Sequence, residues 1–178
     1  MKAYTSNNIR NIAVLGHGGK GKTTLCEAML YLAGATDRLG KVADGNTVLD
    51  FDAEEKRRKS SVSSAMAAIE WDNTKLNIID APGLFDFENG AAEAVRAAEA
   101  VLIVTSAGSG VDVGTEKAFK AAEKRGLAKF FAITKTDSDH RSFYKTFEAL
   151  KEVYGNKLCP TIIPYMEGNI TKSYVNLM

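Results

Sequence analysis

The pattern Gly16-His17-Gly18-Gly19-Lys20-Gly21-Lys22-Thr23 follows an apolar run, Ile12-Ala13-Val14-Leu15, and precedes a segment with helical spacing of Leu25, Met29, Leu30 and Leu32. It fits Gly-x-x-x-x-Gly-Lys-[Ser/Thr] in the strand-to-helix context that gives that pattern meaning. The glycines let successive N–H groups curl inward toward phosphate oxygens, and the helix N-terminus adds partial positive charge. Lys22 is expected to reach β- and γ-phosphates and the Thr23 hydroxyl to ligate Mg²⁺. His17, Gly18, Gly19, Lys20 and Gly21 complete the phosphate-binding set.

A chain of 178 residues, 45% hydrophobic and 25% charged, suits one well-packed domain. The net charge of +1 carries no signature of a nucleic-acid binder, so no direct DNA binding is expected. Cys26 and Cys159 have no paired spacing and read as free thiols of a reducing compartment. No stretch reaches the roughly 18 apolar residues of a membrane span, and the N-terminus lacks an apolar signal core. The expectation is a soluble, cytoplasmic monomer.

Strand-like and helix-like segments alternate. The periodicity predicts strands at 12–15, 64–71, 76–79, 100–104, 129–133 and 161–163, with Asp72-Asn73 turning a hairpin. Helices are predicted at 24–32, 89–98, 115–124 and 140–153. Residues 35–61, polar and broken by Gly40 and Gly45, read as a long mobile loop. This alternation implies an α/β, three-layer P-loop fold, a mostly parallel sheet with helices on both faces and ligands at the carboxyl ends of its strands.

Two more motifs fall at strand ends. Asp80 closes an apolar strand, where a carboxylate can hold a Mg²⁺ shell, and Gly83 of Asp80-Ala81-Pro82-Gly83 can offer its N–H to a γ-phosphate. Lys22 and Gly83 are thus the candidate catalytic groups. Thr134-Lys135-Thr136-Asp137 stands where the guanine-nucleotide fold carries Asn-Lys-x-Asp. An aspartate there accepts from guanine N1–H and the 2-amino group; adenine offers neither donor, so its binding leaves a desolvated carboxylate unpaired. Lys135 would lay its aliphatic stem over the base.

Together these residues resemble the G domain (Ras-like) of translational GTPases, most closely the elongation factor G-like branch. Asn8-Ile9-Arg10-Asn11, Arg38-Leu39-Gly40, Asp44-Gly45-Asn46-Thr47-Val48, Asp50-Phe51-Asp52, Asp86-Phe87 and the string from Gly110 to Lys117 carry the likeness over nearly the whole chain. The resemblance implies GTP/GDP and Mg²⁺ as ligands and the ribosome as partner. It makes 35–61 switch I, with Ser61 as the second hydroxyl on Mg²⁺ when GTP is bound. It makes Gly83 to Glu88 the start of switch II, and Thr24 an α-phosphate contact. In these factors a fifth guanine motif lies beyond an inserted subdomain. This chain reaches Met178 without it, so residues 1–178 are expected to be a single G domain cut before that motif, with weakened guanine affinity.

Four positions depart from the family pattern. Leu84 stands where a histidine commonly orients the attacking water, and it can neither donate nor accept a proton; such a group contributes about 10²- to 10⁴-fold in rate. Thr134 replaces the usual asparagine, retaining a hydroxyl but losing an amide that ties the loops together. Gly19 replaces an aspartate that ligates a monovalent ion, and Lys20 replaces a small residue and reads as a solvent-facing variation. Trp71 reads as a strand-end packing residue, Phe143 and Phe147 as core, and His140 as a helix-start surface residue. Lys56-Arg57-Arg58-Lys59 reads either as a solvated loop or as an RNA contact. Two other classes stay open: a partition-type ATPase, whose loop lysine is replaced by His17, and a nucleotide-dependent module that does not hydrolyse.

Overall fold

Alternation along β1 (Ile9–Leu15) sets the layers of the molecule. Ala13 and Leu15 point to one side of the sheet and Val14 to the other, and all three are buried. The computed structural model describes residues 3–137, 142–167 and 170–178. Five strands form the central sheet in the order β2-β3-β1-β4-β5, with β2 Ala65–Trp71, β3 Thr74–Asp80, β4 Ala100–Ser106 and β5 Ala128–Thr134. β1 runs parallel to β3 and β4, and β4 to β5, while β2 returns antiparallel to β3. The β2–β3 turn places Asp72 and Asn73 at φ 44° and 58°. Two successive left-handed residues match the twist of a two-residue hairpin, and Asp and Asn tolerate that region.

Helices cover both faces. Against the first pack α3 (Glu88–Ala97) and α4 (Val113–Lys124), giving a core of Leu15, Ile79, Val95, Val101, Ile103 and Phe119. On the second, α1 (Lys22–Leu32) buries Cys26 and Leu30 against Val14, Ile69, Ile78 and Val104. Parallel pairing brings the carboxyl ends of β1, β3, β4 and β5 to one edge, where Val14 pairs with Asp80 and Ser106 with Thr134. The α/β three-layer expectation holds.

The structure corrects several finer expectations. Residues 35–61 are not a structureless loop: they contain a 3-10 turn at Val42–Asp44 and the short helix α2 (Ala53–Arg58), capped reciprocally by Asp52 and Glu55. The helix predicted at 140–153 is α5, Phe143–Tyr154; His140 lies outside the described residues. The last predicted strand is β6 (Ile162–Glu167), which leaves the main sheet and pairs antiparallel with an unforeseen β7 (Ile170–Asn176). Trp71 is 60% exposed and so is not a packing residue; Phe143 and Phe147 stack on each other, half-buried. Arg57 and Arg58, at the end of α2, both pair with Glu54. Among the described residues both cysteines are free, and no helix is long and apolar enough to cross a membrane.

Candidate functional site

The turn from β1 into α1 passes so close to β4 that only glycine fits. Gly16 sits at φ 138°, and a Cβ there would overlap the Val104 carbonyl. Gly21, left-handed at φ 90°, then opens α1, whose first residues Lys22 and Thr23 are buried. The Lys22 ammonium donates to the His17 carbonyl at 3.1 Å and lies across Gly83, where a Cβ would overlap it. Gly83 thus presses against the loop: the same Cβ would stand 2.8 Å from Gly16 O and Gly18 N. Burial pushes the Lys22 ammonium below its ordinary range, opposed by the charge of Asp80.

Hydroxyls and carboxylates gather one step farther along. Thr23 Oγ1 donates to Asp80 Oδ2 at 2.6 Å, and Ser61 Oγ donates to Asp50 Oδ1 at 2.7 Å. The two hydroxyl oxygens stand 3.2 Å apart, within hydrogen-bond distance of each other, and each also has a carboxylate as acceptor. Burial raises the Asp80 carboxyl to about 7, against the lowering effects of the Thr23 hydrogen bond and Lys22, while Asp50 and Glu27 add to the rise. Burial likewise raises Asp50. Asp80 Oδ1 and Asp50 Oδ2 are buried without a hydrogen-bond partner among the described residues. Two hydroxyls, two carboxylates and two orphaned oxygens suit a hard dication, which favours oxygen ligands and takes one or two carboxylates beside substrate phosphates. The residues fit Mg²⁺.

Of the residues picked out in the sequence, Gly18, Gly19, Gly21, Lys22, Thr23, Thr24, Ser61, Gly83 and Lys135 line one cleft of about 240 Å³. Asp80 joins it through Thr23. Lys135, at φ 55°, reaches from the end of β5 to donate to the Gly19 carbonyl at 2.6 Å. Asp137 is exposed two residues beyond it. His17 does not line the cleft; its ring meets Phe85, centroids 5.3 Å apart.

Two side chains behave otherwise than expected. Lys20 is not solvent-facing: its ammonium donates to Ser109 Oγ at 2.7 Å and pairs with Asp112 at 3.2 Å, with 16% of the side chain exposed. Thr134 lacks the amide, but its retained hydroxyl keeps the loops tied, with the Lys20 carbonyl at 2.6 Å and the Thr105 carbonyl at 3.1 Å as acceptors. Leu84 packs on the phosphate loop, its Cδ2 2.8 Å from where a Gly18 Cβ would be. Sequence reading missed the role of Asp50. It stood inside a family-like string, but only its 3% exposure and its bond to Ser61 reveal its place.

Comparison with known proteins agrees with this geometry. Residues 7–173 match the family model described as the elongation factor Tu GTP binding domain. An elongation factor G-like protein of Mycobacterium tuberculosis is 36% identical over 91% of this chain and 23% of its own length. A mitochondrial ribosome-releasing factor 2 of Debaryomyces hansenii is 35% identical over 94% of the chain and 19% of its own length. A crystal structure of a Thermus thermophilus protein superposes with a TM-score of 0.89 at 37% identity, covering 94% of this chain and 25% of that one. The chain spans about a fifth to a quarter of the length of these relatives. A partition-type ATPase is set aside by these matches. With its phosphate loop, its hydroxyl–carboxylate cluster and its β5 lysine on one cleft, the chain belongs to the family of elongation factor Tu GTP-binding domains.

Proposed function

We propose that this chain binds GTP with Mg²⁺ in the 240 Å³ cleft and hydrolyses it slowly, as the G domain of an elongation factor G-like translation factor working on the ribosome in the cytoplasm. The observation that carries the reading is the meeting of Lys22, Thr23, Ser61, Gly83 and Lys135 on one cleft, from four separate segments. Backbone N–H groups of Gly18 to Lys22 would cradle phosphate oxygens, and the Lys22 ammonium would exchange the His17 carbonyl for them. Thr23 and Ser61 would ligate Mg²⁺, with Asp80 and Asp50 behind them. Bound Mg²⁺ neutralises charge between the β- and γ-phosphates. Gly83 N–H would meet the γ-phosphate, Lys135 would lie along the base, and Asp137 would accept from guanine.

Hydrolysis on this reading is positioning plus electrostatics, with the γ-phosphate ordering the switches and its loss releasing them. Leu84 offers the attacking water no hydrogen bond, which supports a low intrinsic rate; an aliphatic side chain over Gly18 also favours a second reading, a switch that binds without cleaving. Titrating GDP, GTP and ATP onto the purified protein, with Lys22→Ala and Asp137→Ala, tests binding. Competition by GTP and not ATP, lost in Lys22→Ala and relaxed in Asp137→Ala, is expected; equal competition by ATP would refute it. Single-turnover cleavage with and without ribosomes decides between the two readings.

A further inference from the structure

We infer that Glu27 is a positioning residue for the γ-phosphate side of the cleft: it fixes residues 47–50 to α1, and through them sets Asp50 and Ser61. The inference rests on the GTP-binding reading above and adds to it a residue outside the cleft. Glu27 is one helical turn beyond Thr23 on the same buried face of α1, with no exposed surface. Its Oε1 accepts two backbone bonds from a segment 21 and 22 residues away, Val48 N at 2.7 Å and Leu49 N at 3.1 Å. From the other side Gly40 presses against Oε2 so tightly that a Cβ would overlap it, and the same Cβ would lie 2.9 Å from Thr47 Cα.

A buried carboxylate inside an apolar core is costly unless it is bonded, so its placement needs a compensating role. The fold supplies one. Leu49, held by its N–H, fills the core beside Cys26 and Leu30, and the next residue is Asp50, which receives the Ser61 hydroxyl. Ser61 in turn stands 3.2 Å from Thr23. One helix therefore carries both the residues that face the phosphates and the anchor that brings the opposing hydroxyl to them. Glu55 does the equivalent for the far end of the segment, accepting from Val62 N and Ser63 N at 3.0 and 3.1 Å.

A merely structural Glu27 would affect all ligands alike; a positioning one affects the ligand that needs Ser61. The test compares affinities for GDP and for the β,γ-imido analogue of GTP, both with Mg²⁺, together with tryptic cleavage at Lys56 to Lys59. In Glu27→Ala, the buried Leu49 N–H and the partly buried Val48 N–H lose their acceptor, and the analogue should bind about tenfold more weakly while GDP stays within about twofold. Protection of the tryptic sites by the analogue should be lost. Glu27→Gln keeps an acceptor oxygen and should stay within about threefold of the parent. If Glu27→Ala does not fold, Gly40→Ala displaces the same contact from the opposite side and should show the same selective loss. Equal weakening of both nucleotides, or unchanged affinities in both alanine variants, overturns the inference while leaving the GTP reading intact. Parent protein that binds neither nucleotide overturns both.

Discussion

Replacing Thr23 with valine keeps the β-branched shape but removes the hydroxyl that donates to Asp80 Oδ2 at 2.6 Å, leaving both oxygens of a buried carboxylate without a partner among the described residues. The loss depends on the charge of Asp80, and burial places its carboxyl near 7. At pH 8 the group is mostly ionised, and a hydrogen bond to a charged acceptor is worth about 1.5–3 kcal/mol. At pH 5.5 it is protonated, and the bond falls to the neutral range of about 0.5–1.5 kcal/mol. For a chain of this size each kcal/mol moves Tm by about 2–4 °C. Taking about 2 kcal/mol for the charged bond and about 1 kcal/mol for the neutral one, Thr23→Val, free of nucleotide and metal, should melt about 4–8 °C below the parent at pH 8 but only about 2–4 °C below it at pH 5.5. Thermal unfolding of both proteins in chelator at the two pH values measures this. A deficit equal at both, or larger at pH 5.5, would refute the assignment of Thr23 as the group that holds the Asp80 charge.

The same carboxyl makes the nucleotide-free parent pH-sensitive. Its folded value, about 7, lies above the ordinary 3.8, so the folded state binds more protons between them and stability falls as pH rises through that window, by up to about 4 kcal/mol; urea midpoints should lose this slope in Asp80→Asn, and an unchanged slope would assign it elsewhere. Leu84→His should raise single-turnover GTP cleavage by about 10²- to 10⁴-fold if a water-orienting group is what the site lacks; an unchanged rate would show that position to be immaterial. Thr134→Val strips the Lys20 and Thr105 carbonyls of their shared donor and should weaken GDP about fivefold to tenfold, since a lost bond of about 1 kcal/mol is nearly that factor; unchanged affinity would show the tie to be idle.

What the sequence made legible is what local chemistry determines. The phosphate loop could be read because an apolar strand, clustered glycines and Lys22-Thr23 are contiguous, and the β2–β3 hairpin because Asp72-Asn73 suits a left-handed pair. Residues 35–61 misled because their order comes from acids, not from apolar periodicity. Glu27, Asp50 and Glu55 are polar letters that the fold buries at 0%, 3% and 1% exposure, each receiving donors from residues near or far in the chain. β7 was missed for the opposite reason: Ile170, Tyr174 and Val175 remain exposed in a two-stranded sheet, so no burial pattern marks the strand. Thr134 and Lys20 were misjudged one residue at a time, because a hydroxyl or ammonium finds its partner only when loops from β1, β4 and β5 meet.

The electrostatics of α1 explain why this arrangement is tolerated. Around its first turns the protein buries three carboxylates, Glu27, Asp50 and Asp80, against one ammonium, Lys22. The upward displacement of Asp80 reflects burial, with the charges of Asp50 and Glu27 adding to it against the Thr23 hydrogen bond and Lys22; that of Asp50 reflects burial, opposed by the Ser61 hydrogen bond, with Glu55 adding to the rise; and the depressed Lys22 reflects burial that its neighbours only partly offset. On the proposed function, a dication against the carboxylates and phosphates against Lys22 would remove both penalties together. The free energy withheld from the bare fold would then reappear as binding energy, and a ligand that binds only the folded state at 100 times its Kd adds about 2.7 kcal/mol of stability. Metal and nucleotide added together should then raise Tm by more than the sum of their separate effects, because each completes the charge that the other leaves exposed.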